Sequence, residues 1–198
     1  MKKIILILTI LFSISYTKPI YKVGIGTFNI VSPDTLRNGY SSGVLMSGSA
    51  GKHILTNLDA FINFEFARTP ITARDYLEFL NLAPEKSLLT GGDYINIINL
   101  GASFEKIVPF NDEANVLPYI IAGAGLHKTS SDDIKIFADS NNVIDIKSVN
   151  TTSFYIHFGL GANLLLENTN LFLDINFYYL KTKDNNISFV PIKVGLKF

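Results

Sequence analysis

From Ile20 onward, apolar and polar residues alternate with a period of two. That is the pattern of strands with one apolar and one polar face; helices would repeat every 3.6 residues. The clearest stretch is Leu171 to Lys181, where Leu171, Leu173, Ile175, Phe177 and Tyr179 point one way and Asp174, Asn176 and Tyr178 the other. Phe154 to Leu164 sets Phe154, Ile156, Phe158, Leu160 and Leu164 against His157, Gly159, Gly161 and Asn163. Leu58 to Arg68 opposes Leu58, Ala60, Ile62, Phe64 and Phe66 to Asp59, Asn63 and Glu65. Ile98, Leu100, Ala102 and Phe104 oppose Asn99, Gly101, Ser103 and Glu105, and Ile192, Val194, Leu196 and Phe198 oppose Lys193, Gly195 and Lys197. Tyr21 to Ile30, Val44 to Ile54 and Tyr119 to Lys128 complete an expected set of eight strands. Each is about long enough for the 9–11 residues that a tilted membrane strand needs.

The connections predict how the strands are ordered. Short polar turns, around Thr56-Asn57, Pro109 to Asn115 and Glu167 to Asn170, alternate with longer loops, Val31 to Gly43, Thr69 to Asp93 and Thr129 to Asn150. Short turns at one end and long loops at the other describe an up-and-down transmembrane barrel with the short side periplasmic. Only the last connection, Lys183 to Asn186, is short where a long loop is expected. A soluble lipocalin-like ligand barrel would have a similar strand count, with its apolar face turned inward. Here the polar face mixes glycine with charge and amide, which suits a narrow lumen. The other face is almost unbroken Leu, Ile, Val and Phe, which suits lipid. The fold class expected is therefore all-β, an eight-stranded antiparallel up-and-down transmembrane β-barrel over residues 20–198.

The N-terminus changes the picture once. Lys2 and Lys3 precede an apolar run from Ile4, followed by Ser13-Ile14-Ser15. That is a charged segment, a short apolar core and small residues before a cut after Ser15, so residues 1–15 are expected to be a cleaved export signal. The run is too short to span a bilayer as a helix, which takes about 20 residues. Seventeen basic residues balance seventeen acidic ones. Loss of two lysines leaves a slightly acidic mature chain, with no field that would draw nucleic acid. Absence of cysteine removes disulfides, thiolate metal sites and cysteine nucleophiles.

With inward Gly-x-Gly pairs (Gly24/Gly26, Gly123/Gly125, Gly159/Gly161) and the ending Ile192-Lys-Val-Gly-Leu-Lys-Phe198, the chain resembles the OmpA/OmpX-type small outer-membrane barrels over its whole mature length. The resemblance implies an outer-membrane location in a Gram-negative-type bacterium, with outer-membrane lipid around a monomer. It also implies that Phe198, with Ile192, Val194 and Leu196 before it, is the signal read by the outer-membrane assembly machinery.

The polar face carries the candidate functional set: Lys22, Asp59, Asn63, Glu65, Asn99, Glu105, His157, Asn163, Asp174, Asn176, Lys193 and Lys197. Charges facing a narrow interior need partners, so an ion-pair and amide network filling the lumen is expected, as a structural plug rather than an ion path. The Gly-x-Gly pairs are not nucleotide loops, since none opens a helix after a strand. His53, His127 and His157 have no metal-ligand spacing, and no cofactor is expected. His127 with Thr129 loosely resembles the His and Ser of lipid A deacylase barrels, which face lipid; alternation puts His127 on the lumen side, so no catalytic residue is assigned. In the 69–93 loop, Thr72-Ala-Arg-Asp75 resembles a capping box for a helix gathering Tyr76, Leu77, Phe79, Leu80 and Ala83 before Pro84, expected as a lid over the barrel mouth. Asp132, Asp133, Asp139 and Asp145 are expected in a solvated loop. The function expected is structural, or presentation of loops 69–93 and 129–150 to an extracellular partner. A lipid-modifying barrel enzyme and a soluble ligand binder are the alternatives.

Overall fold

The computed structural model describes residues 18–32, 37, 39–108, 115–138, 142–167, 169–182 and 186–198; the expected signal, Asp139 and positions 183–185 lie outside them. The barrel strands are β1 (Pro19–Ser32), β2 (Gly43–Leu55), β3 (Leu58–Pro70), β5 (Tyr94–Ile107), β6 (Val116–Ser131), β9 (Asn150–Leu165), β10 (Asn170–Lys181) and β11 (Asn186–Lys197). Each pairs antiparallel with its neighbours in chain order, and β1 pairs with β11 to close the ring. Closure leaves no free edge on the barrel. At the seam the backbones of Tyr21 and Phe198 exchange two hydrogen bonds, of 2.7 and 3.0 Å.

The outward face is a belt. Ile62, Phe64, Leu100, Phe104, Phe154, Phe158, Leu160 and Ile175 are all exposed. In β3 the belt runs from Leu58 to Phe66 and then stops at Arg68, which pairs in register with Asn96 of β5 and donates to its Oδ1 at 3.0 Å. Eight residue steps at ~3.4 Å, tilted by ~40°, give roughly 20 Å along the barrel axis, near the ~25 Å apolar band of outer-membrane barrels.

The strands outrun their expected limits at the long-loop end, for a physical reason. Past the belt the polarity inverts. Ile95 and Ile97 point inward and are buried, while Asn96 points outward. The alternation that marks a strand inside the belt is out of phase beyond it, although the backbone continues unbroken. Pro191 has no N–H to donate, and the β10–β11 register lapses opposite Asn176 and Phe177 beside it.

The helix expected within 69–93 forms, and both long connections, 69–93 and 129–150, also carry strands where only loops are expected. They carry α1 (Ala73–Phe79), β4 (Ser87–Gly91), β7 (Ile134–Ala138) and β8 (Asn142–Ile146), and the last three form a separate antiparallel sheet in the order β4-β7-β8. Leu77 of α1 packs on Ile134 and Ile136 of β7, making a small second core above the barrel. The expected capping box does not form. Thr72 makes no side-chain cap and bonds Ser41 through its hydroxyl instead. The helix also stops earlier than Pro84, at Leu80, where Asn81 takes a left-handed φ of 56°.

Candidate functional site

Alternation places one residue in two inside the barrel, and the interior they build has two storeys. Nearer the short turns it is charged. Lys22 of β1 donates to Glu105 Oε1 at 2.6 Å and to Asp174 Oδ2 at 3.1 Å. Lys197 of β11 reaches Asp59 Oδ2 at 3.0 Å and lies 3.6 Å from Glu105 Oε2. Lys193 donates to Glu65 Oε1 at 2.8 Å and sits 3.8 Å from Asp174. Three lysines thus serve four carboxylates contributed by β3, β5 and β10, and each lysine bridges two of them. Sharing lets each of the four carboxylates meet a cation although the lysines are fewer. Desolvating so many charges is tolerable only with this degree of pairing.

Neutral groups supply the remaining donors. The Tyr119 hydroxyl bonds Asp174, the Tyr178 hydroxyl donates to Glu65 at 2.9 Å, and Asn99 Nδ2 donates to the other Glu65 oxygen at 2.9 Å. Asn63 donates to Ser103 at 2.8 Å, and His157 Nδ1 lies 3.4 Å from Asn176 Oδ1. His53, at the short-turn end, pairs with Asp59. Lys22 also rests on the Phe172 ring, 4.2 Å from its centroid. Of the twelve residues expected on the lumen face, eight are joined in one web, while Asn63 pairs with Ser103 and His157 with Asn176 beside it. Asn163 is buried on the same face, but its Oδ1 meets no donor.

Nearer the long loops the interior is apolar, which the sequence reading missed. Phe28, Leu45, Ala67, Ile95, Ile97, Tyr155, Tyr178, Leu180 and Phe189 form one buried cluster. The Phe28 and Phe189 rings lie tilted with centroids 4.3 Å apart, and Tyr178 stacks on Phe189 at 4.9 Å. Glycines of the Gly-x-Gly pairs make room for other inward rings. A Cβ at Gly161 would strike the Tyr119 ring and come within 2.7 Å of Asp174 Oδ1, and one at Gly123 would strike His157. Tyr119 and Phe172 could have been placed inward by counting from their neighbours, but a polarity reading discards aromatic residues on an otherwise charged face.

His127 and Thr129 also point into the barrel. His127 is only 3% exposed. Its Nδ1 lies 2.7 Å from Asn99 Oδ1 and its Nε2 2.6 Å from Thr129 Oγ1. A histidine–hydroxyl pair open to lipid is therefore not formed by these two. Among the described residues, no three of His, Cys, Asp and Glu are grouped so as to hold a metal ion, and no helix is long and apolar enough to cross a membrane, which leaves crossing by strands untouched.

Comparison with known proteins bears on the fold. No family model and no curated protein sequence matches the chain. Among solved structures, surface protein A of Neisseria (NspA) superposes with a TM-score of 0.59 at 15% identity, covering 90% of this chain and 95% of that one. A major outer membrane protein of Thermus thermophilus gives 0.54 at 12% identity, covering 91% and 99%. The closed ring of eight antiparallel strands, its filled lumen and these superpositions together make this a barrel with the OmpA/OmpX-type small outer-membrane fold.

Proposed function

We propose that the protein is a monomeric bacterial outer-membrane barrel with a plugged lumen, which strengthens the envelope or presents its outer cap to an extracellular partner. One observation carries the reading: the outward belt is apolar around the ring and gives way to Arg68 and Asn96 at its upper limit, while the charges lie inside. A soluble ligand barrel has the opposite arrangement. The interior supports a plug, since the void among Lys22, Glu105, Asp174 and Lys193 measures only about 10 Å3. That is room for about one water, which supports a lumen filled by side chains. A lipid-modifying enzyme needs its base and nucleophile open to lipid, and the inward pair His127 and Thr129 argues against it. In this reading residues 1–15 are removed on export and Tyr16 begins the mature chain. Ile192, Val194, Leu196 and Phe198 then form the edge offered to the assembly machinery.

Single cysteines, absent from the natural chain, test the topology. Lys86→Cys and Ser148→Cys in the cap should react with an impermeant maleimide in whole cells, whereas Glu167→Cys, in the β9–β10 turn, should react only after lysis. Labelling of Glu167→Cys first would invert the barrel. Heat-modifiable gel migration and mass spectrometry of outer-membrane protein check the folded barrel and the Tyr16 terminus.

A further inference from the structure

Above the Phe28–Phe189 ring pair, the barrel mouth and the cap partly enclose a cavity of about 260 Å3. Its floor and walls include Ile95, Ile97 and Phe189 from the barrel, and its roof includes Tyr76, Ile134 and Ile146. The lining is mostly Ile, Val, Tyr and Phe, with His127, Thr129, Ser131, Lys147 and Thr151 as its polar members. Apolar cavities of ~150 Å3 stay dry and accept benzene, so this one has room for a substituted ring or a short chain.

One polar point on this wall has a defined hydrogen-bonding sense. Glu65 accepts only, as a carboxylate held by Lys193 and Tyr178, so the Asn99 atom facing it is the amide nitrogen. The other amide atom, Oδ1, can then only accept, which puts the proton of neutral His127 on Nδ1. His127 Nε2 is left with a lone pair, and the Thr129 hydroxyl must donate its one hydrogen to it. Thr129 lines the cavity, so there its Oγ1 has only lone pairs to offer. Four residues from three strands fix that polarity, so at Thr129 the wall offers an acceptor.

We propose that this cavity binds a compact apolar molecule bearing one hydroxyl, such as a simple phenol or short alcohol, whose O–H donates to Thr129 Oγ1. The inference needs only the barrel and its cap, and it stands apart from the export and surface-topology reading.

The test uses the full mature chain in lipid nanodiscs with 13C-labelled isoleucine methyls, and compares p-cresol with its isostere p-xylene at matched free concentrations. Empty nanodiscs correct for partitioning. The expected result is saturable shifts at Ile95, Ile97 and Ile134, with p-cresol binding about five-fold tighter, the worth of one net hydrogen bond. Thr129→Val should remove that preference and leave p-xylene binding unchanged. Ile134→Trp should abolish both, with Ile146→Phe as a second filling variant; heat-modifiable migration shows that each is folded. Shifts that never saturate, survive both filling variants, or keep the p-cresol preference in Thr129→Val would overturn the proposal.

Discussion

Lys22 of β1 meets Glu105 of β5 across the lumen, Nζ to Oε1 at 2.6 Å, although 83 residues separate them. The same ammonium holds Asp174, so it ties three strands that are not neighbours in the ring. Lys22→Met would leave two inward lysines, Lys193 and Lys197, against four carboxylates. Breaking a buried pair from one side costs about 3–5 kcal/mol, and a loss of that size is expected in urea titrations of the barrel in lipid vesicles. Adding Glu105→Gln should restore part of it, since one uncompensated charge is removed. Strictly additive losses in the two changes would mean that the pair contributes nothing beyond its members.

Much of this architecture was legible because lipid and lumen impose opposite chemistry on adjacent residues. Where a strand crosses the belt, as at Leu173–Asn176 or Ile62–Glu65, parity and polarity agree and the facing can be read directly, the inward rings of Phe61, Tyr119 and Phe172 being the exceptions. They part company above the belt. At Ile95 and Ile97 the inward positions are apolar because the upper storey is a packed plug, so a rule that equates inward with polar fails there. The cap was hidden for another reason. Ser87–Gly91, Ile134–Ala138 and Asn142–Ile146 are five residues each, too short for a periodicity to stand out, and β4 finds its partner more than 40 residues away. The charged network was visible as a set of residues but not as a wiring, because which lysine meets which carboxylate depends on register and ring closure.

Gly161 tests whether the inward glycines are spaces or conformational devices. The Tyr119 ring lies where its side chain would be, and no left-handed φ is involved. Gly161→Val should therefore displace Tyr119 from Asp174 and destabilise the barrel by about 1–3 kcal/mol, as overpacking does. Coupling to Tyr119→Ala should recover a measurable share of that loss. Full additivity would point to the backbone instead.

In the cap, the Ser148 amide donates to Asp133 Oδ1 at 2.6 Å, and this bond holds the Asp133 carboxyl below its ordinary range. A depressed acid stabilises the folded form above its unfolded pKa of ~3.9 and loses that contribution as pH falls through the lower folded value. Protection of the Ser148 amide should persist at pH 5 and decline only well below pH 4. Hydrogen exchange followed by NMR between pH 2.5 and 6 would show it, and Asp133→Asn should weaken protection at every pH. A decline centred above pH 4 would remove the hydrogen bond as its cause.

Ile175 and Asn176 are neighbours near the middle of β10, yet Ile175 is 47% exposed on the belt and Asn176 is 1% exposed inside. A lysine on the lipid face near the bilayer centre costs about 2–4 kcal/mol in barrels of this kind. At Asn176 the ammonium would enter a polar interior where Asp174 lies on the same face and the facing residue is Gly159. Ile175→Lys is therefore expected to lower stability in lipid vesicles clearly more than Asn176→Lys. Crowding could penalise the inward lysine for its size alone, so Asn176→Ala separates volume from charge. Denaturant titration of the three variants against the natural protein gives the order. If Ile175→Lys were the mildest of the three, the belt would not face lipid, and a water-soluble barrel would account better for the exposed Leu, Ile and Phe of its outer wall.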